Sequence, residues 1–356
     1  MNDFKEITYQ QWKEKIIADL KGKDFEETLV WNSEEDINVQ PFYMQNALEN
    51  NLSSTLNIIP ENTTSWNINE QIDVTDNDAN QQALTALTGG CNSLEFIGEI
   101  ANLEKLSSLL NNIQLDIIQL SFYNEKPLQT AELFTQFIEK SSYQNVKANF
   151  YSNGITNDII ALSKNQHVEK CVMITANATA KMSEQLADSF VKAVETVDLL
   201  TENGIAAKEA WNKIAFQFPI QNNYFFEIAK LRAARICFEL ITNQYQLNDA
   251  EMYVTAQTTL TPQPEIDAHN NTLAATTQAM SAIIGGCNSL TVLPFNALDE
   301  KATPFSKRIA RNIQLILKEE SFLDKVVDPT KGAYYMESLT DELVKKALES
   351  FKKKVG

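Results

Sequence analysis

Residues 89–94 read GGCNSL, inside ALTALTGGCNSLEFIG, and residues 285–290 read GGCNSL again, inside AMSAIIGGCNSLTVLP. In each copy an Ala-rich run with helical spacing precedes the glycine pair and a short apolar run follows it. Helices often end on Gly, because the left-handed position just past the last turn costs Gly little, and a short apolar run bounded by turn signals reads as a buried strand. The hexapeptide is therefore a joint from helix to strand: the glycines close the helix, the small Cys and Ser fit tight helix–sheet packing, and Leu enters the core. It is not a phosphate loop, since the glycines precede a strand rather than a helix start. The copies lie 196 residues apart, and a strand–helix unit takes roughly 30–35 residues, so about six units separate them. A barrel of repeating units is expected.

The rest of the chain fits that spacing. Strand-like segments are SWNINEQI (65–72), SLEFIG (93–98), LDIIQLSF (115–122), NVKANFYS (145–152), KCVMITA (170–176), KIAFQFPI (213–220), EMYVTAQT (251–258) and SLTVLPF (289–295). Between them lie segments with apolar residues at three- and four-residue spacing, such as MSEQLADSFVKAVETVDLLTENG and NNYFFEIAKLRAARICFELIT. Strands alternating with helices argue for parallel pairing, and eight of them for a closed α/β fold, the (β/α)8 TIM barrel. The sequence divides into an N-terminal arm (1–64), the barrel (65–320) and a C-terminal extension (321–356) with a final charged helix. The arm holds an amphipathic helix around YQQWKEKIIADLKG, an aromatic-rich stretch LVWNSEEDINVQPFY and the polar tract NLSSTLNIIPENTTS. An arm of this size must lie on something. The chain stops just after a helical run, which fits a shortened chain or a missing downstream domain.

Composition excludes several classes. The formal charge of −17, from 30 basic and 47 acidic residues, is spread along the chain and makes nucleic acid and anionic membrane poor partners. No apolar run approaches the roughly 20 residues of a membrane span, and the start has no signal-peptide core, so the reading is a cytoplasmic chain. Cys91, Cys171, Cys237 and Cys287 form no CxxC pair and read as buried, reduced thiols, so no metal site is expected.

Barrel enzymes place their chemistry at the carboxyl ends of the strands. Those ends offer Gln71 and Asp73, Gly98 and Glu99, Tyr123 and Asn124, Tyr151 to Asn153, Ala176 and Asn177, Gln221, Gln257 and Thr258, Phe295 and Asn296. They are mostly amides and hydroxyls, without the titrating or cationic groups that acid–base work and anion binding want. His167 precedes a strand and falls at the opposite, stability face. His269, in EIDAHNNT, reads as a polar residue opening a helix. The basic segments EIAKLRAAR and KRIARNIQLILKEE read as outer barrel helices with a solvated face and intrahelical pairs such as Glu227 with Lys230.

NNYFFEIAKLRAAR, AQTTLTPQPEIDAHNNTLAATTQAMSAIIGGCNSL, SKRIARNIQLILKEES and DPTKGAYYMESLT resemble, in this order, the barrel of methylmalonyl-CoA mutases, and WKEKIIADLKGKDFEETLVWNSEEDINVQPFY resembles the arm that precedes it. The resemblance covers most of the chain. It implies a (β/α)8 barrel whose channel threads the pantetheine of an acyl-CoA, followed by a cobalamin-binding domain, of which a degenerate copy would lie past residue 356. The departures are as informative. Asn69 and Gln71 stand where catalytic chains carry an Arg and a Tyr that contact substrate, and ITANATAKMSEQL lacks their substrate-contacting His. Gln257 and Thr258 match a polar pair of the active-site loop, but the Gly-Trp that follows is missing. Thr272 stands where a cobalamin-ligating D-x-H-x-x-G loop has Gly.

The resemblance thus points to the small, or beta, subunit: a chain with no catalytic residues, no metal and no cofactor of its own. It would form a heterodimer with a homologous catalytic subunit that isomerises methylmalonyl-CoA and succinyl-CoA with adenosylcobalamin. Tyr123, Tyr151, Asn177, Gln257 and Thr258 would be a remnant pocket, and Trp12, Phe25, Trp31, Phe42 and Tyr43 an interface. Two alternatives stand beside it: a catalytic acyl-CoA mutase barrel whose cobalamin domain is on a separate chain, and an acyl-CoA-binding barrel without turnover.

Overall fold

Each of the eight strand-like segments carries a strand of one parallel sheet. The structure, a computed structural model, describes residues 7–45, 65–143, 145–152, 158–247, 249–260, 269–298 and 301–356; most of the polar tract 51–65 lies outside them, as do Asn153 and Asp267. The arm comprises α1 (Tyr9–Asp19), α2 (Phe25–Leu29) and a hairpin of β1 (Trp31–Asn32) with β2 (Asn38–Val39). The barrel strands are β3 (Asn67–Asp73), β4 (Ser93–Ile97), β5 (Gln119–Tyr123), β6 (Asn149–Tyr151), β7 (Val172–Thr175), β8 (Ile214–Ile220), β9 (Tyr253–Thr258) and β10 (Ser289–Thr291). Between them run α3 (Ala79–Thr88), α4 (Leu103–Leu109), α5 (Pro127–Lys140), α6 (Ile159–Ser163), α7 (Met182–Glu202), α8 (Ala207–Asn212), α9 (Tyr224–Thr242) and α10 (Asn270–Ile284), and α11 (Pro304–Glu319) and α12 (Tyr334–Val355) follow.

The strands pair in the order β6-β5-β4-β3-β10-β9-β8-β7. The ring closes between the ends of that list: Ala148 N donates to His167 O at 3.0 Å and Phe150 N to Lys170 O at 2.9 Å. This is a (β/α)8 TIM barrel. Several strands are shorter than their apolar runs, because pairing starts where the register allows it; β5 begins at Gln119, opposite Ser93.

Period-two alternation sorts the two faces. The outer face is apolar: Phe96, Phe122 and Phe150 stack in sequence at 5.8 and 5.3 Å, with Phe134 of α5 against the last two. The inner face is polar. Registered pairs Asn69↔Ser93, Gln71↔Glu95, Ser121↔Asn149 and Thr291↔Gln257 all point to the axis, where branched apolar layers are usual.

The two GGCNSL joints are built alike. In each, the second glycine takes the left-handed conformation (Gly90 φ 102°, Gly286 φ 82°). The Cys N–H returns to the helix, Cys91 to Ala86 O and Cys287 to Ala282 O, both at 3.1 Å. The Asn side chain accepts from the neighbouring strand, Asn92 from Ile68 N at 2.7 Å and Asn288 from Val254 N at 2.8 Å. The serines depart from expectation: they face the barrel axis rather than a helix, because they are the first inward residues of β4 and β10, and Ser93 donates to Asn69 Oδ1 at 2.8 Å.

The reading of EIAKLRAAR as a helix with a solvated face is overturned. Glu227, Lys230, Arg232 and Arg235 are all buried: Glu227 and Lys230 meet Gln221 N and Pro219 O at the end of β8, Arg235 meets Met252 O and Gly286 O, and Arg232 lies under α12, which packs over α9. The Lys230–Glu227 pair forms at 2.6 Å as expected, but inside the protein. Arg232 meets Asp328 at 3.2 Å, Glu337 at 3.0 Å and Thr340 Oγ1 at 2.9 Å, so the extension is bolted to the barrel by buried charge. By contrast α11 keeps an exposed face, with Arg308 and Ile316 outward and Arg311 and Gln314 inward.

Candidate functional site

The carboxyl ends of β7, β8 and β9 open into a cleft of about 900 Å³, walled by Thr175, Gln217, Gln221, Asn222, Gln257 and Thr259, with Trp31 and Glu34 of the arm on one side. The hairpin is held there by charge at the start of α7. Glu35 Oε2 accepts from Met182 N at 2.7 Å, Asp36 pairs with Lys181, and the Trp31 ring stands edge-on to Phe226 at 5.6 Å. Burial pushes the Glu35 carboxyl up, while Lys181 holds that of Asp36 down. Below the floor, Lys230 donates to Pro219 O at 2.6 Å and Gln185 Oε1 at 3.2 Å, and its partner Glu227 accepts from Gln221 N at 3.0 Å. That cation serves the scaffold and does not face a ligand.

The five mouth residues read from sequence do not converge. Gln257 and Thr258 border the cleft, although Thr258 is buried and its hydroxyl accepts from Leu293 N at 2.9 Å. Asn177 is exposed in a turn, its Oδ1 accepting from Thr179 N at 3.0 Å. Tyr123 is half-buried at the rim. Tyr151 is buried inside the barrel, where burial pushes its phenol well above the ordinary value.

Below the mouth the axis is filled. Gln119 Oε1 accepts from Asn67 Nδ2 at 2.6 Å and from the Tyr253 hydroxyl at 2.7 Å, a link from β9 across to β5. Gln71 Nε2 donates to Glu95 at 2.7 Å and to Gln257 at 3.3 Å, Asn69 Nδ2 to Thr291 at 2.8 Å, and Asn149 Nδ2 to Ser121 at 3.0 Å. About 20 Å³ remains free among these side chains. Among the described residues no cation stands against buried Glu95, and desolvation pushes its carboxyl up. The strand-end inventory missed Glu95, Gln119 and Asn149. The signal was present: NINEQ, SLEFI and QLSFY place polar residues at every second position of strands whose other face is covered by helices.

His167 sits at the amino-terminal end, buried, with Nδ1 2.9 Å from Val146 O and its ring edge-on to Phe134. His269 occupies the position just before α10, 4.5 Å from the Phe295 ring. All four cysteines are buried and free, and burial pushes each thiol up to about 12. Among the described residues no three His, Cys, Asp or Glu side chains are grouped to hold a metal ion, and no helix is long and apolar enough to cross a membrane.

The arm aromatics divide between self-packing and exposure. Trp12 contacts Phe25 at 6.3 Å and Phe42 at 5.2 Å, and Tyr43 contacts Tyr335 of α12 at 5.4 Å. Phe25 is buried, whereas Trp31 and Phe42 stay 49% and 44% exposed.

The profile of the family described as Methylmalonyl-CoA mutase matches residues 162–355. The methylmalonyl-CoA mutase small subunit of Porphyromonas gingivalis is 33% identical over 98% of this chain, which spans 63% of that relative's length. A methylmalonyl-CoA mutase of Rhizobium meliloti is 31% identical over 70% of this chain and 39% of its own length. The methylmalonyl-CoA mutase small subunit of Streptomyces virginiae is 35% identical over 49% of this chain and 29% of its own.

Proposed function

The chain belongs to the methylmalonyl-CoA mutase family, and on that premise we propose that it is the non-catalytic small subunit of a heterodimeric, adenosylcobalamin-dependent mutase. The partner, a homologous catalytic chain, would isomerise methylmalonyl-CoA and succinyl-CoA in the cytoplasm. The observation that carries this reading is the filled axis. A barrel that threads an acyl-CoA arm needs a passage of several ångströms, and here Gln119, Tyr253, Asn67 and Glu95 occupy it with about 20 Å³ left over. Opening it would break a network whose members are bonded to one another and desolvated, at about 1–3 kcal/mol for each group left unpaired.

His269, the candidate cobalt ligand among the described residues, does not suit the cofactor. His269 opens α10 with its ring against Phe295, which favours a helix-start role over cobalt ligation. Adenosylcobalamin is therefore assigned to the partner. The mouth cleft, bordered by Gln257, keeps the alternative of an acyl-CoA-binding barrel in view.

The test is a paired assay. The purified chain, and the chain mixed with a homologous cobalamin-binding mutase subunit, are assayed for isomerisation of methylmalonyl-CoA, with succinyl-CoA binding followed by calorimetry. Activity confined to a one-to-one complex is expected. Turnover by this chain with an isolated cobalamin domain would overturn the proposal, and tight succinyl-CoA binding by the chain alone would make it a binding barrel. If the exposed arm aromatics meet the partner, Trp31→Ala weakens heterodimer affinity about tenfold; an unchanged affinity returns Trp31 to its own barrel.

A further inference from the structure

Among the described residues, three polar atoms on the barrel axis have no partner. Asn149 Oδ1, Tyr151 OH and Thr255 Oγ1 are each sealed from solvent and make no hydrogen bond to protein. All three residues line the internal cavity of about 20 Å³. They do not come from one strand: Asn149 and Tyr151 are on β6 and Thr255 is on β9, with β7 and β8 between them around the ring. Buried hydroxyls and amide oxygens are almost always paired, and one left unpaired costs about 1–3 kcal/mol. Three orphans around one void are therefore a site.

We propose that this cavity binds a single water molecule that bridges Asn149 Oδ1, Tyr151 OH and Thr255 Oγ1 across the barrel axis. The volume fits one occupant, since roughly 10–15 Å³ is the least that holds a water. The chemistry fits as well. Asn149 Oδ1 is a carbonyl oxygen and can only accept, its amide nitrogen being turned to Ser121, whereas the two hydroxyls can donate or accept. Water, with two donors and two acceptors, satisfies all three at once. A monovalent cation is the competing occupant, because Glu95 lines the same cavity. It is disfavoured by the surroundings: Glu95 Oε2 already accepts from Gln71 Nε2 at 2.7 Å, and the three unpartnered atoms are neutral, so a desolvated cation would find little compensating charge. The bound water completes the closure begun by Gln119 and Tyr253, so that β6 joins β9 as β5 does.

A crystal structure of the chain, with melting temperatures in sodium, potassium and choline chloride, tests this. One isolated density peak within hydrogen-bond distance of the three atoms is expected, with melting temperatures independent of the cation. An empty cavity overturns the proposal. So does a potassium- or sodium-specific rise in melting temperature that Glu95→Gln abolishes, which would assign the site to a cation. Independently, Tyr151→Phe and Thr255→Val should be coupled through the shared water: the double variant should melt no lower than the worse single variant. Additive losses would mean that no common ligand joins them. Both substitutions keep side-chain volume, and Glu95→Gln keeps shape, so folding is retained while the coupling is read.

Discussion

The two GGCNSL joints share a backbone and differ in what lies on them. Over the first, Arg311 covers Gly89 so closely that a Cβ there would fall 2.6 Å from its Nε, and its guanidinium pairs with Glu70 at 2.5 Å. Over the second, Leu231 covers Gly285, and Arg235 spends its donors on acceptors of the scaffold: Met252 O at 3.1 Å, Gly286 O, and Asn288 Oδ1 at 3.1 Å. Six identical residues thus specify one turn, and the helix packed above decides whether the joint is closed by an ion pair or by a cation bonded to neutral acceptors. The difference teaches that a repeated motif fixes local geometry, while its energetics belong to its neighbours.

Removing each cation should separate the joints most. Arg235→Ala leaves two buried carbonyls without their donor and a void beside α9, and is expected to cost about 3–5 kcal/mol. Arg311→Ala leaves Glu70, which can protonate, and should cost about 1–3 kcal/mol. Urea denaturation of both variants measures this, and equal losses would break the comparison. Valine at the left-handed glycine probes what the joints have in common. Gly90→Val and Gly286→Val should each lose about 2–4 kcal/mol, because a β-branched residue resists a positive φ. A copy that accepted Val without loss would not be doing the shared job. The asparagines come next: Asn92→Ala and Asn288→Ala each orphan a strand N–H, at about 1–2 kcal/mol, and Asn288 should lose more because it also accepts from Arg235.

Much of the fold was legible because its signals are local. Glycine pairs after helical runs and eight apolar segments at regular spacing give the barrel without any contact information, and the buried cysteines follow from their surroundings. What was misread depends on a third layer. Arg232 has the spacing of a solvated helix face, and only the docking of α12, more than 90 positions downstream, covers it, while Lys230 and Arg235 turn inward to carbonyls of Pro219, Met252 and Gly286, which the spacing of one helix does not reveal. Tyr151 ends a strand like any mouth residue, yet β6 is so short that its end lies within the ring. The polar inner face was written in NINEQ and QLSFY, but alternation says which residues share a side and not which side faces the axis.

The smallest expected effect separates the joints by titration. Glu70 stands among Arg311, Lys307 and the Cys91 thiol, 3.7 Å away, and burial outweighs the two cations, so its carboxyl is raised above the ordinary value. A carboxyl whose folded pKa lies above its unfolded one favours folding when protonated. Its contribution is complete below the unfolded value, about 4.3, and is lost as pH rises through the raised folded value. Glu70→Gln removes this dependence. Wild type should therefore gain relative to the variant as pH falls toward 4, by less than about 1 kcal/mol because Arg311 opposes the shift. No carboxylate is hydrogen-bonded to Arg235 among the described residues, so Asn288→Ala should change stability by the same amount across that window. A parallel pH profile for wild type and Glu70→Gln would show that the carboxylate stays ionised against Arg311, and the first joint would then be as insensitive to acid as the second.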